Sequence, residues 1–275
     1  MTTLREEALA GGRRARRWGW LYAAEHRLRD MRAYYQTLIA ISIGNPLVYL
    51  LTLGLGLGTL VKADLSDGAG GTVSYLLFVA PALLASAAVM SAAEEASYPI
   101  LGGFKFNPVF YAMNASPISS GQVVTGVLLG VLARVLPSSI IYFVVIALFG
   151  AAPSPLAWLG IVTATVAGMG AAAIVGGFMA TVIEDKGQPA VIFRFIIAPL
   201  FLFSGTFFPL DQLPSLLQWV GWISPLWHAT QLGRVLSYGM GEPAWLTVVH
   251  VVYLLGLLVG GVLYSRYTFA KRLNK

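Results

Sequence analysis

The sequence predicts an all-α integral membrane protein: six transmembrane helices, an N-terminal amphipathic interface helix before them, and outer re-entrant helices between spans five and six. Two observations carry that prediction. Of the 275 residues, 57% are hydrophobic and 11% are charged, less than half the roughly 25% of an average soluble chain. A soluble globule of this length needs more polar surface than that, and disorder and coiled coil fail for the same reason. The apolar residues also fall into six runs near or above the ~20 residues that cross a hydrocarbon layer.

The elements follow in order. Residues 1–17 are polar and Arg-rich and read as a flexible basic cytosolic tail. No compact apolar run with a small-residue cleavage site follows at once, so the N-terminus is expected to be retained. From 18 to 35 the period is helical. Trp18, Leu21, Ala24, Leu28, Met31 and Tyr35 share one face; Glu25, His26, Arg27, Arg29, Asp30 and Arg32 share the other. Such a basic amphipathic helix suits the inner membrane interface; the alternative is a helix packed on its own protein. The transmembrane domain, 36–275, holds spans at 38–61, 75–96, 123–149, 156–183, 190–208 and 246–267.

Orientation follows from the basic residues. With the N-terminus inside, 14 of the 18 Lys and Arg lie on the inner side, and only Lys62 and Arg234 on the outer. Arg134 and Arg194 lie within or at the edge of spans. That asymmetry places both termini in the cytoplasm of a cell-membrane protein. It also accounts for the net charge of +6 without nucleic acid.

The loops differ in kind. The inner segment 97–122 carries Pro99, Gly102, Gly103, Pro108 and Pro117. The outer segment 209–243 is apolar and Trp-rich, with Trp219, Trp222 and Trp227. A loop of that composition folds back into the interface as short re-entrant helices. Small residues crowd span four, including Gly168, Gly170, Gly176 and Gly177, which allows close helix packing.

Several chemistries are missing. Without cysteine there is no disulfide, thiolate or Cys-ligated metal. No G-x-x-x-x-G-K-[ST], G-x-S-x-G or H-E-x-x-H occurs, so no P-loop, serine-hydrolase elbow or zincin site is expected. No catalytic residue, bound cofactor or metal is expected. His228 and His250 fall on the outer side, where headgroup-level hydrogen bonding is favoured over a two-His metal site. The charges that matter are Glu94 and Glu95 at the inner end of span two, Arg134 about 12 residues into span three, and Arg194 at the start of span five. Intramembrane charges are costly and pair or line a polar cavity. A structural pair of Arg134 with Glu94 or Glu95 is favoured over a lining that meets a substrate headgroup. For Arg194, snorkelling to lipid phosphates is favoured over greeting an anionic substrate.

Three stretches, read together, carry a family resemblance: NPLVYLLTLGLGLG at 45–58; YLLFVAPALLASAAVMSAAEEASY at 75–98, with SPIS at 116–119; and LFSGTFFPLDQLP at 202–214 followed by ISPLWHATQLGR at 223–234. Together they resemble the membrane subunit of type-2 ABC exporters, and within these the NodJ-type lipo-oligosaccharide and drug exporter permeases. The resemblance spans roughly residues 18–270. It implies a non-catalytic permease working as a dimer, identical or paired with a related permease, in contact with membrane lipids. Two copies of a separate ATPase would bind ATP and Mg. It also implies a coupling segment at about 99–117, with Phe104, Lys105, Phe106 and Asn107 toward the ATPase. Spans one and five would flank a lateral opening, with Tyr49, Phe201, Phe203, Phe207 and Phe208 near the path; ordinary packing or lipid contact explains each of these equally well. Where many relatives carry Gly-Glu at the start of span three, this chain has Gly121-Gln122.

The function so implied is export of an amphipathic substrate: a lipid-linked oligosaccharide, a glycolipid or a hydrophobic drug. A self-sufficient channel or secondary transporter is the alternative; it needs ionisable groups at mid-membrane, where Arg134 alone qualifies. A lipid-modifying membrane enzyme would need more than Glu94-Glu95.

Overall fold

The structure, a computed structural model, describes residues 2–60 and 65–274, with side chains from Gly11 onward. Lys62, one of the two basic residues expected on the outer side, and Lys275 lie outside the described residues.

Helix α1 (Thr2–Arg32) is kinked at Trp18, whose φ of −117° and ψ of 15° leave the helical region. Residues 2–17, expected as a flexible tail, are therefore helical, in keeping with the helix formers Leu4, Glu6, Glu7, Ala8 and Leu9. Helix α2 (Tyr35–Leu60) follows. Pro46 removes one donor from its ladder, and the turns widen to a π-helix over Leu50–Leu57. A short hairpin, β1 (Leu65–Ser66) with β2 (Thr72–Val73), leads to α3 (Tyr75–Glu95). Two-residue strands were not foreseen; they carry too few residues for an alternating pattern.

After α3 come α4 (Tyr98–Lys105) and α5 (Val109–Ala115), then α6 (Ser120–Leu148). A capping box opens α6: Gln122 N–H donates to Ser119 Oγ, and Ser119 N–H donates to Gln122 Oε1 at 3.0 Å. Helices α7 (Gly160–Met179), α8 (Gln188–Phe203), α9 (Ser215–Ile223), α10 (Pro225–Tyr238) and α11 (Ala244–Leu273) complete the chain.

Among the described residues, five helical segments are long and apolar enough to cross a membrane: α2, α3 continued through α4, α6, α7 with its leading turn, and α11. The sixth, expected at 190–208, differs. Helix α8 has 16 residues and ends at Phe203. At 1.5 Å per residue it reaches about 24 Å, short of the ~30 Å core. The chain turns at Gly205, whose φ of 71° is left-handed. Averaged hydropathy stays high across this Ser204-Gly205-Thr206 turn because Leu202 and Phe203 precede it and Phe207 and Phe208 follow it.

Helix α7 sits at the centre, against α3, α6, α10 and α11. Its small residues permit this. A Cβ on Gly168 would lie 2.8 Å from the Ala88 carbonyl of α3, so the two backbones touch. Most of α3 is buried, whereas α2 and α11 present most of their length outward.

The bundle has two chemically distinct ends. At an arginine-rich end Gln122 bonds the Arg16 carbonyl, Asn114 bonds the Leu273 carbonyl, and Arg272 bonds the carbonyls of Met179 and Val182. Gly241 meets Asp67, Ser237 meets Ala151 and Tyr75 meets Phe207 at a tryptophan-rich end.

Candidate functional site

The last turn of α3 brings Glu94 and Glu95 to the arginine-rich half of the bundle. Glu95 is buried with its side chain 3% exposed. Its Oε1 accepts from Arg134 Nη1 of α6 at 2.6 Å, and its Oε2 accepts from Arg27 Nη2 of α1 at 2.7 Å. Arg134 Nη2 also donates to Glu94 Oε2 at 3.1 Å. Two cations and two anions thus balance where neither charge could stay alone. A pair of Arg134 with Glu94 or Glu95 was expected, and Arg134 bonds both.

Arg27 is the unexpected member. The helical wheel put it on a solvated face, yet it is 8% exposed. The face of α1 that packs on α6 is built from Gly19, Ala23 and Arg27, opposite Gln122, Gly126 and Gly130 in register. Both series advance by four, so the helices run alongside each other in parallel over about two turns. A Cβ on Gly126 would lie 2.4 Å from Ala23 Cβ. Helix α1 is therefore packed on its own protein, while Trp18, Leu21, Tyr22 and Leu28 form an exposed apolar face. Gln122 adds to the dock: its Nε2 donates to the Arg16 carbonyl at 2.8 Å. A glutamate there would keep the capping box but offer no donor to that carbonyl.

Beside the charged knot lies a cavity of about 240 Å³ whose lining mixes apolar side chains, among them Ile41, Leu83 and Met90, with polar ones. Asn45 and Tyr49 of α2, Ser86, Ser91 and Glu94 of α3, Tyr142 of α6 and Phe201 of α8 line it. An adjoining smaller cleft shares Asn45, Ser91 and Tyr142 and reaches Arg134 and Ser138. Ser138 Oγ is bonded to Ser42 Oγ at 2.8 Å, pinning α2 to α6. Hydroxyl, amide and carboxylate groups in an apolar bundle make a lining suited to a polar group on an otherwise apolar molecule.

The aromatic residues expected near the path divide. Tyr49 and Phe201 line the cavity. Phe207 packs edge-on to Phe201, ring centroids 5.0 Å apart. Phe203 and Phe208 are half-buried and do not line it. Arg194 is exposed on the π-helical turn Phe193–Ile197.

At the arginine-rich end, α4 and α5 form a corner. Phe104 is 3% exposed and packs against Phe110 and Phe269, centroids 4.9 and 5.0 Å away. Arg272 of α11 lies over the Phe104 ring at 4.1 Å and donates to the Val182 carbonyl at 2.6 Å. Phe104 thus anchors the corner from within rather than offering a contact surface. Lys105, Phe106 and Asn107 project from it, Phe106 64% exposed.

At the other end, His228 and His250 meet in space, Nδ1 to Nδ1 at 2.7 Å. His228 Nε2 donates to the Trp222 carbonyl at 3.0 Å, and Tyr253 stacks on its ring at 3.9 Å. Glu242 Oε2 lies 3.4 Å from His250 Nε2.

The sequence profile of the ABC-2 type transporter family matches residues 24–238. The chain belongs to the ABC-2 type transporter family. Its curated relatives include Nodulation protein J of Rhizobium leguminosarum bv. viciae, 27% identical over 255 residues, or 90% of this chain and 93% of the relative. Nodulation protein J of R. leguminosarum bv. trifolii is 29% identical over 217 residues, 77% and 79%. That of Rhizobium meliloti (strain 1021) is 27% identical over 250 residues, 89% and 87%.

In this ABC-2 chain the family match begins inside α1, upstream of Arg27. Sequence reasoning missed Arg27, Asn45, Ser91 and Tyr142. Asn45 had a signal of its own, an amide within an apolar span. Arg27 had none in hydropathy, because its packing ridge is made of glycine and alanine.

Proposed function

We propose that the chain is the transmembrane permease subunit of an ATP-driven exporter, with hydrolysis in a separate ATPase subunit present in two copies. The observation that carries this is the α4–α5 corner. Lys105, Phe106 and Asn107 project from an element that Phe104 and Arg272 weld to α11 and to the end of α7. A projecting tip on a rigid mount transmits force instead of absorbing it. ATP-driven closure of the partner subunits would move this corner and, through it, α7 and α11.

Six crossings fit this reading. Val182 is held by Arg272 at the arginine-rich end and Phe207 by Tyr75 at the other, which supports a sixth crossing made by α8 together with the turn after it. Helices α9 and α10 begin and return at the tryptophan-rich end, as outer re-entrant helices would. Placing the arginine-rich end and both termini in the cytoplasm satisfies the charge asymmetry. The permease then works as a pair, identical or with a related permease, α2 and α8 flanking a lateral opening. The cavity at Asn45, Tyr49 and Glu94 would take the polar part of an amphipathic cargo, a glycolipid, a lipid-linked oligosaccharide or a hydrophobic drug. Arg194 would sit among inner-leaflet phosphates.

Co-purification with the candidate ATPase in nanodiscs tests the proposal. A stable complex whose ATP hydrolysis falls in Phe106→Ala and Lys105→Glu is expected. Absence of any complex, with transport by the permease alone down a gradient, overturns it.

A further inference from the structure

A second cavity, about 630 Å³, opens at the tryptophan-rich end. Arg234 of α10 forms part of its wall and is 2% exposed. Its guanidinium donates to three neutral oxygens: Nε to the Phe78 carbonyl at 3.1 Å, Nη1 to Gln231 Oε1 at 2.9 Å, and Nη2 to the Gly205 carbonyl at 2.7 Å. The Phe78 ring lies 3.6 Å beneath it. Among the described residues no carboxylate makes an ion pair with it. Three of five N–H donors are satisfied, and among the described residues the buried positive charge has no carboxylate within ion-pair distance, an expensive arrangement. An incoming anion would relieve it. Gln231 spends its carbonyl oxygen on Arg234, so its amide NH2 remains to donate alongside.

The same cavity carries the complementary charge. Asp211, exposed on the turn Leu210–Gln212, lines it with Trp222 and Trp227, whose rings are 4.8 Å apart. Indole faces and a carboxylate both attract an ammonium group. A guanidinium beside an amide donor suits a phosphodiester. A simple anion would meet repulsion from Asp211, and a simple cation would meet Arg234. A ligand bearing both charges satisfies both.

We propose that this cavity binds a zwitterionic phospholipid headgroup, its phosphodiester against Arg234 and Gln231 and its ammonium against Asp211 and the two indoles. The site is separate from the cavity at Glu94, and its occupant is a lipid of the surrounding membrane face. The proposal needs no ATPase, so it stands or falls independently of the exporter reading.

Native mass spectrometry of the full chain in detergent tests it, with dioctanoyl phosphatidylethanolamine, dioctanoyl phosphatidylglycerol and O-phosphoethanolamine as probes. The ethanolamine lipid is expected to bind about tenfold tighter than the glycerol lipid, the effect of one charge-assisted contact, and tighter than the soluble ester. Asp211→Asn, on an exposed turn, is expected to abolish the preference between the two lipids. Gln231→Met is expected to weaken both severalfold. Equal binding of the two lipids by the unaltered chain, an unchanged preference in Asp211→Asn, or binding of O-phosphoethanolamine as tight as that of its lipid overturns the proposal.

Discussion

Glu95 is held between Arg27 and Arg134, one guanidinium on each carboxylate oxygen at 2.7 and 2.6 Å. One carboxylate therefore ties α1, α3 and α6 together. Glu94, one residue earlier, shares Arg134 but leaves its side chain 51% exposed. The two neighbours should behave differently. Glu95→Gln leaves two guanidinium groups without the charge between them and is expected to cost about 3–5 kcal/mol. Glu94→Gln is expected to cost less than ~1 kcal/mol. Unfolding temperatures in detergent separate these outcomes, and equal losses would refute the assignment.

The contact of α1 with α6 makes a steric prediction. Gly126→Ala places a methyl within 2.4 Å of Ala23 Cβ and is expected to cost about 1–3 kcal/mol by overpacking. Gly121→Ala, with open space around its added Cβ, is expected to be close to neutral. Faster cleavage by trypsin at Arg13 to Arg17 in Gly126→Ala alone would report release of α1.

Phe104 and Phe106 lie two residues apart and face opposite ways. Phe104→Ala empties a site among Phe110 and Phe269 and is expected to cost about 3–5 kcal/mol. Phe106→Ala is expected to change stability by no more than about 0.5 kcal/mol. Thermal unfolding of the two variants checks this. A functional loss in Phe106→Ala at unchanged stability would support the proposed ATPase contact.

Glu242, in the turn before α11, supplies a pH dependence. Burial raises its carboxyl pKa, opposed by the hydrogen bond from Thr247 at 2.6 Å. A carboxyl whose folded pKa is raised contributes stability that is fully present below the ordinary Glu value and lost as pH rises through the raised one. Glu242→Gln removes this term. The variant is expected to gain stability relative to the parent as pH rises above the ordinary carboxyl range. Paired unfolding curves across that range check it, and a constant difference would contradict it.

Much of this architecture was legible in the sequence. Five of the six apolar runs correspond to helices long and apolar enough to cross a membrane, because length and hydropathy are enough to define them. Arg134 was legible as the partner of Glu94 and Glu95 because an unpaired charge in an apolar run is too costly to leave alone. Arg27 was hidden by the opposite circumstance: in an amphipathic helix a charged residue is expected to be wet, and glycine contacts leave no trace in hydropathy. The end of α8 was hidden because Ser204-Gly205 interrupts a run that stays apolar to Phe208. Tyr142 joined the cavity at Asn45 and Glu94 only through tertiary packing, since a tyrosine in an apolar helix looks like core.

The dock of α1 on α6 bears on where an autonomous piece of this chain can begin. Hydropathy would start it at Tyr35, ahead of the first apolar run. A chain trimmed there would keep every long apolar helix but lose Arg27, leaving one oxygen of a buried carboxylate empty-handed. It would also open the furrow at Gly126 and Gly130. The folding unit starts upstream of the membrane segment, and a truncation or fusion that respects it has to leave residues 19–32 in place.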